Sequence, residues 1–146
     1  MLRLIKNIPA DKLCAQPGPS LNHVMWVIGH IACTDDYFLK EFGGKELALP
    51  DAWHQIFAGG STPTTDATRY PPFDEVKRAF RERREALTQW LVGMSEAQLD
   101  APTPKNWQPY APTMRDVAHF AAWHEGYHAG QISTLRRAFG LGPAFG

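Results

Sequence analysis

An excess of charge of either sign is the first thing this sequence lacks. Lysine plus arginine and aspartate plus glutamate number 15 each, for a formal net charge of zero. A domain that grips phosphate backbones or anionic lipid in general carries a basic surplus, so neither nucleic acid nor a membrane is expected as a partner. Long apolar runs are missing too, and no stretch approaches the roughly 18 residues that span a bilayer. Met1-Leu2-Arg3-Leu4-Ile5-Lys6 has neither the apolar stretch nor the small-residue cleavage site of a signal peptide. The two cysteines, Cys14 and Cys33, show no CxxC spacing, which excludes a disulfide framework. These absences together predict a soluble, cytoplasmic protein in a reducing compartment. Repeats, low-complexity segments and convincing strands are absent as well.

What the sequence does contain is helix, in a length that suits one domain, 1–146, with a sizeable core. A short first helix stops near Pro9, and Pro17-Gly18-Pro19 is a turn. Ser20 is a candidate N-cap for a second helix over about 21–42, closed by Gly43-Gly44. Residues 43–71 hold Pro50, Gly59-Gly60 and Pro63 and read as a long connection, with one packed turn at Trp53, His54, Ile56 and Phe57. Pro71-Pro72 opens a third long helix to about 93, with Asp74 and Glu75 at its positive end. Ser95-x-x-Gln98 and Thr113-x-x-Asp116 are capping-box patterns. The second starts a last helix that runs to about Phe139. The expectation is an all-α four-helix bundle with a short first helix, whose long connection lets helices two and three run parallel.

His124-Glu125-Gly126-Tyr127-His128 carries the chemistry. At about 100° per residue the two histidines sit about 40° apart on one helix face and about 6 Å apart along it, so both rings reach one ion. Val117, Phe120, Ala121, Gln131 and Leu135 share that face, which is the apolar one. On the second helix His30 lies in the stripe of Trp26, Val27, Cys33, Thr34 and Tyr37. A buried imidazole needs a partner, and a shared divalent ion serves all three rings. Three protein ligands with an open position is the plan of a catalytic zinc site, and nickel, iron or manganese also accept imidazole. The competing reading is three hydrogen-bonded core histidines.

The same string reads H-E-x-x-H, the zincin protease signature. The metzincin pattern puts its third histidine where this chain has Thr134. The 18 residues after His128 contain no Glu, Asp or His, and no strand is evident to hold a peptide. A protease is therefore not expected.

Two segments resemble a known family. Asn22-His23-Val24-Met25-Trp26-Val27-Ile28-Gly29-His30 is similar to the n-x-x-x-W-x-x-G-H segment of the DinB/YfiT-like superfamily. His124-x-x-x-His128-Ala129-Gly130-Gln131-Ile132 resembles its H-x-x-x-H-R-G-Q-I segment, with Ala129 where arginine is usual, and Leu135-Arg136-Arg137-x-x-Gly140 matches its ending. The resemblance covers nearly the whole chain, although the first helix looks truncated beside the family pattern. It implies an up-down-down-up four-helix bundle, a metal triad of His30, His124 and His128, and frequent homodimers. It also implies a metal-dependent thiol S-transferase or isomerase using bacillithiol, mycothiol or glutathione, with a small-molecule thiol and an electrophile as partners and zinc as the first choice of ion. The alternatives are a non-catalytic, metal-stabilised stress-response binding or dimerisation module and, less favoured, a metal-dependent hydrolase.

Further residues are weighed beside the triad. Glu125 is a candidate base or partner of a ligand, against a solvated glutamate. Arg83 falls in the apolar stripe of the third helix and is a candidate for holding a substrate carboxylate, against an ion-paired arginine. Cys33 is a candidate fourth ligand, against a small buried apolar residue. Tyr37 and Tyr127 are candidates for reaching a metal-bound water, against core packing, which is the expectation for each; Trp26, Trp90 and Trp123 are expected to build core or pocket wall. His23 lies too far along its helix to share the ion, and His54 and His119 show no supporting pattern.

Overall fold

The computed structural model describes residues 1–145. Among them are six α-helices and no strand: α1 (Leu2–Ile5), α2 (Val24–Gly43), α3 (Asp51–Ile56), α4 (Phe73–Val92), α5 (Glu96–Leu99) and α6 (Met114–Ala138). The all-α class is thus as expected. Among the described residues, no helix is long and apolar enough to cross a membrane.

The ends of the helices follow from local chemistry. α2 begins later than expected, because its N-cap is His23 and not Ser20. The His23 Nδ1 accepts from the Trp26 backbone N–H at 3.1 Å, while Ser20 sits at φ 60° in the preceding turn. A ring nitrogen can cap only while unprotonated, and burial lowers the His23 pKa. α2 ends at Gly44, at φ 62°, where Gly44 N–H bonds Lys40 O and Lys45 N–H bonds Leu39 O. That left-handed closure favours glycine. Both expected capping boxes form, at Ser95/Gln98 and Thr113/Asp116, each cap worth about 1 kcal/mol.

The 43–71 connection decides the path of the chain by returning along α2. Asp36, near the far end of α2, accepts from the backbone of Ala48 and Leu49 and from His54. His30 meets Phe57, Trp26 meets Ser61, and His23 meets Thr64. The connection therefore runs back to the start of α2, and α4 sets off in the same direction as α2. Asp36 pairs with Arg83, and Gly43 lies against Trp90, so contacts advance together along the two helices. α6 runs the other way, with Asn22 beside Gln131, His30 beside His124, and Phe38 beside Phe120. α1 follows α6, because Met1 reaches Glu125 and Leu4 O accepts from Arg136.

Two buried clusters result. Val24, Val27, Ile28, Ile31, Val76 and Ile132 belong to one; Phe38, Leu39, Leu87, Val117 and Ala121 belong to the other. Each large aliphatic or aromatic side chain buried there contributes about 2 kcal/mol. The histidine cluster sits where the two meet.

A charge seam, buried at Asp35 and part-exposed at Arg84 and Glu125, joins α2, α4 and α6. Arg84 Nε lies 2.8 Å from Asp35 Oδ2 and 3.4 Å from Glu125 Oε2. Asp35 is 1% exposed. Burial pushes its pKa up from 3.8 to about 7, with Arg84 pulling it down and Glu125 pushing it up. An acid whose folded pKa exceeds its unfolded one costs nothing below the unfolded value. It then destabilises the fold increasingly up to the folded value. Asp35 should thus take stability away as pH rises from about 4 to about 7. Asp35→Asn should lose less stability over that window than wild type, by on the order of 2–4 kcal/mol. Urea midpoints at both ends of the window test this, and parallel behaviour of the two proteins would exclude Asp35 as the linked group.

Candidate metal centre

His30 from α2 and His124 and His128 from α6 come together, with one ligand nitrogen from each lying within 4.8 Å of the others. The Nε2 of His124 is 3.2 Å from that of His30 and 3.1 Å from that of His128. His124 and His128 are buried, and His30 is half-buried.

The outer nitrogens decide which way the lone pairs point. His30 Nδ1 lies 2.8 Å from Phe57 O, a carbonyl that can only accept. His128 Nδ1 lies 2.9 Å from Gln131 Oε1, which also accepts from Asn22 Nδ2. Both Nδ1 atoms therefore carry the proton, and both Nε2 atoms present lone pairs to the same point. His124 Nδ1 is buried with no hydrogen-bond partner. A proton on Nδ1 leaves three lone pairs facing one another, and a proton on Nε2 leaves Nδ1 an orphaned acceptor. A cation at the convergence point removes the first conflict, so the donor set fits a divalent ion.

The electrostatics agree. Burial pushes His124 down to about 3, and the His128, His30 and Arg84 charges push the same way. Burial also lowers His30 and His128, partly offset by their hydrogen bonds to Phe57 and Gln131. Neutral imidazole is the form that ligates.

The W-x-x-G-H spacing acquires a physical meaning here. Trp26 stacks on His30 at 4.6 Å and 9°. A Cβ on Gly29 would lie less than 3.0 Å from three Phe57 ring carbons, so only glycine admits that ring. Phe57, once seated, offers the carbonyl that orients His30. On the other side Phe120 stacks on His124 at 6.0 Å and 11°.

Other side chains fall elsewhere. Glu125 pairs with Arg84 and the Met1 amine, and no hydrogen bond joins it to an imidazole. Arg83 pairs with Asp36 at 3.5 Å, apart from the cluster. Cys33 lies outside the three-histidine group, and burial and then Asp36 push its thiol up to about 12. Trp26 is buried, Trp90 is half-buried, and Trp123 is 60% exposed. Tyr37 and Tyr127 are also exposed rather than packed in the core; Tyr127 stacks on Trp123 along the outer face of α6, and Tyr37 lies against Trp107. His23 is the α2 cap, and His119 is exposed.

Sequence reasoning had Gln131 on the ligand-bearing face, without its role as partner of His128 Nδ1 one helical turn away. Phe57 O and His54 escaped it, because only the returning connection brings them to α2. His54 Nε2 lies 3.1 Å from the buried Asp36 carboxylate, and its ring lines a cavity of about 400 Å³ that reaches His30 and His124. A larger cavity of about 730 Å³ lies between residues 2–13 and the start of α4, away from the histidines.

No curated protein matches this chain. The sequence profile of the DinB superfamily matches residues 1–132, which include both paired segments and all three histidines. The chain belongs to the DinB superfamily.

Proposed function

We infer that this chain is a divalent-metal enzyme that joins a low-molecular-weight thiol to an electrophilic carbon at His30, His124 and His128. The observation that carries the reading is the pair of Nδ1 hydrogen bonds to Phe57 O and Gln131 Oε1, which aim two Nε2 lone pairs at the third imidazole. Zinc is the first choice of ion for an all-imidazole set, with nickel, iron and manganese as alternatives. A divalent ion with an open position supplies the charge that keeps a thiol ionised near neutral pH. The chain's own residues orient the ligands and shield them: Phe57 and Gln131 hold two rings, and Trp26 and Phe120 cover the faces of His30 and His124. In the reaction the C–S bond forms, the bond to the leaving group breaks, and the thiol proton leaves to solvent. The cavity that reaches His30 and His124 favours this reading over a purely structural ion. The directions of α1, α2, α4 and α6 support its fold, an up-down-down-up four-helix bundle.

The test is loss of free thiol with glutathione, bacillithiol or mycothiol and 1-chloro-2,4-dinitrobenzene or an epoxide, using zinc-loaded protein beside His128→Ala. The wild type is expected to exceed the variant by at least about 100-fold, within the range that positioning and charge stabilisation supply. Equal rates with every pair would sink the reading.

A further inference from the structure

The cavity beside the histidine cluster differs from a typical site for charged metabolites. Among the described residues, no Lys, Arg, Asp or Glu side chain lines it. One side of it is walled by the rings of Tyr37, Phe38, Trp107 and Phe120. They form one continuous aromatic surface, with Trp107 edge-on to Phe38 at 5.4 Å and to Phe120 at 6.0 Å, and tilted against Tyr37 at 6.3 Å. At about 400 Å³ the space suits a bicyclic aromatic or a compound of similar size.

The polar groups around it are few and mostly engaged. Thr34 Oγ1 donates to His30 O. The Cys33 thiol is held protonated by burial. His54 Nε2 is turned to Asp36, which also pairs with Arg83. An anion lodged among these rings would lose its hydration and find no side-chain cation to replace it, the nearest positive charge being an ion held by the histidines at the far end. The arginine expected to offer that service, Arg83, is occupied outside the cavity.

Building on the thiol-transfer reading, we propose that the acceptor half of the reaction is a compound with a flat, uncharged aromatic body bound between Tyr37, Phe38, Trp107 and Phe120, its reactive carbon toward His30 and His124. A carboxylate on the part of the acceptor that lies among the rings is rejected, because no side chain there carries a positive charge.

The experiment is calorimetric titration of metal-free protein at pH 7.5 with 2-naphthol, neutral at that pH, and with 2-naphthoate. Amide and indole NMR shifts locate the binding. The expected result is one saturable site for 2-naphthol and at least tenfold weaker binding of 2-naphthoate, with shifts at Trp107 and Phe120. Tyr37→Ala, which removes an exposed ring at the rim, should weaken 2-naphthol at least fivefold. Equal affinity for the two compounds, no saturable binding, an unaffected Tyr37→Ala, or shifts confined to the cavity beside Leu2 and Phe73 would each overturn the proposal. Zinc uptake, measured separately, keeps the two readings apart. One zinc per chain without 2-naphthol binding overturns the acceptor assignment and leaves the metal site. Specific 2-naphthol binding without zinc uptake supports the cavity and overturns the metal chemistry.

Discussion

Saturating zinc is expected to raise the unfolding midpoint by about 10 °C, and His30→Ala and His128→Ala are expected to abolish the rise. The magnitude follows from linkage. A ligand at a thousandfold its dissociation constant stabilises the native state by about 4 kcal/mol, and each kcal/mol moves the midpoint of a chain this size by about 2–4 °C. The three Nε2 atoms already converge, at 3.1 and 3.2 Å from the central one. Two of the rings are oriented by hydrogen bonds at 2.8 and 2.9 Å. Little ordering is left to oppose binding. Removing one imidazole leaves two ligands, too few for a stable protein site. Calorimetric scans with and without metal, beside metal content by mass spectrometry, read both arms. Wild type and variants shifting alike would show that zinc binds elsewhere. The metal-free midpoints of the variants separate loss of the ion from loss of the fold.

Gly29→Ala should be costly although it adds a single methyl on a helix, where alanine is intrinsically the better residue. The methyl would overlap the ring of Phe57, which is fully buried. Overpacking of this kind costs about 1–3 kcal/mol, or about 2–12 °C in midpoint at the same conversion. Displacing Phe57 also moves the carbonyl that holds His30 Nδ1, and loss of such an orienting partner weakens metal binding by about 10–100-fold. The two effects should appear together. A variant with full metal affinity and a wild-type midpoint would show that Phe57 yields without consequence. Phe57→Ala in the Gly29→Ala background relieves the overlap, so the second effect can be separated from the first.

Much of this was legible in one dimension. The capping boxes at Ser95 and Thr113 and the Gly44 stop are chemistry between near neighbours, and they form as expected. The inward placement of His30, His124 and His128 follows from a period of 3.6, which puts each on an apolar stripe. Ser20 misled because two cap chemistries compete within four residues. His23, an unusual cap, won by having Thr64 and Tyr70 to satisfy its far nitrogen. Tyr127 and Trp123 misled because aromatic size suggests burial, whereas their positions on α6 face outward.

The sequence by itself determined the helical class, the three imidazoles and the helix faces that carry them, since each depends on contacts within a few residues. The tertiary structure decided that α2 and α6 run in opposite directions, so that His30 meets His124. It also decided that the 43–71 connection retraces α2, bringing Phe57 O to His30 and His54 to Asp36. Contacts across 27 and 18 residues of an irregular segment leave no periodic trace in the chain. They are selected only when the loop's buried polar groups must all find partners at once.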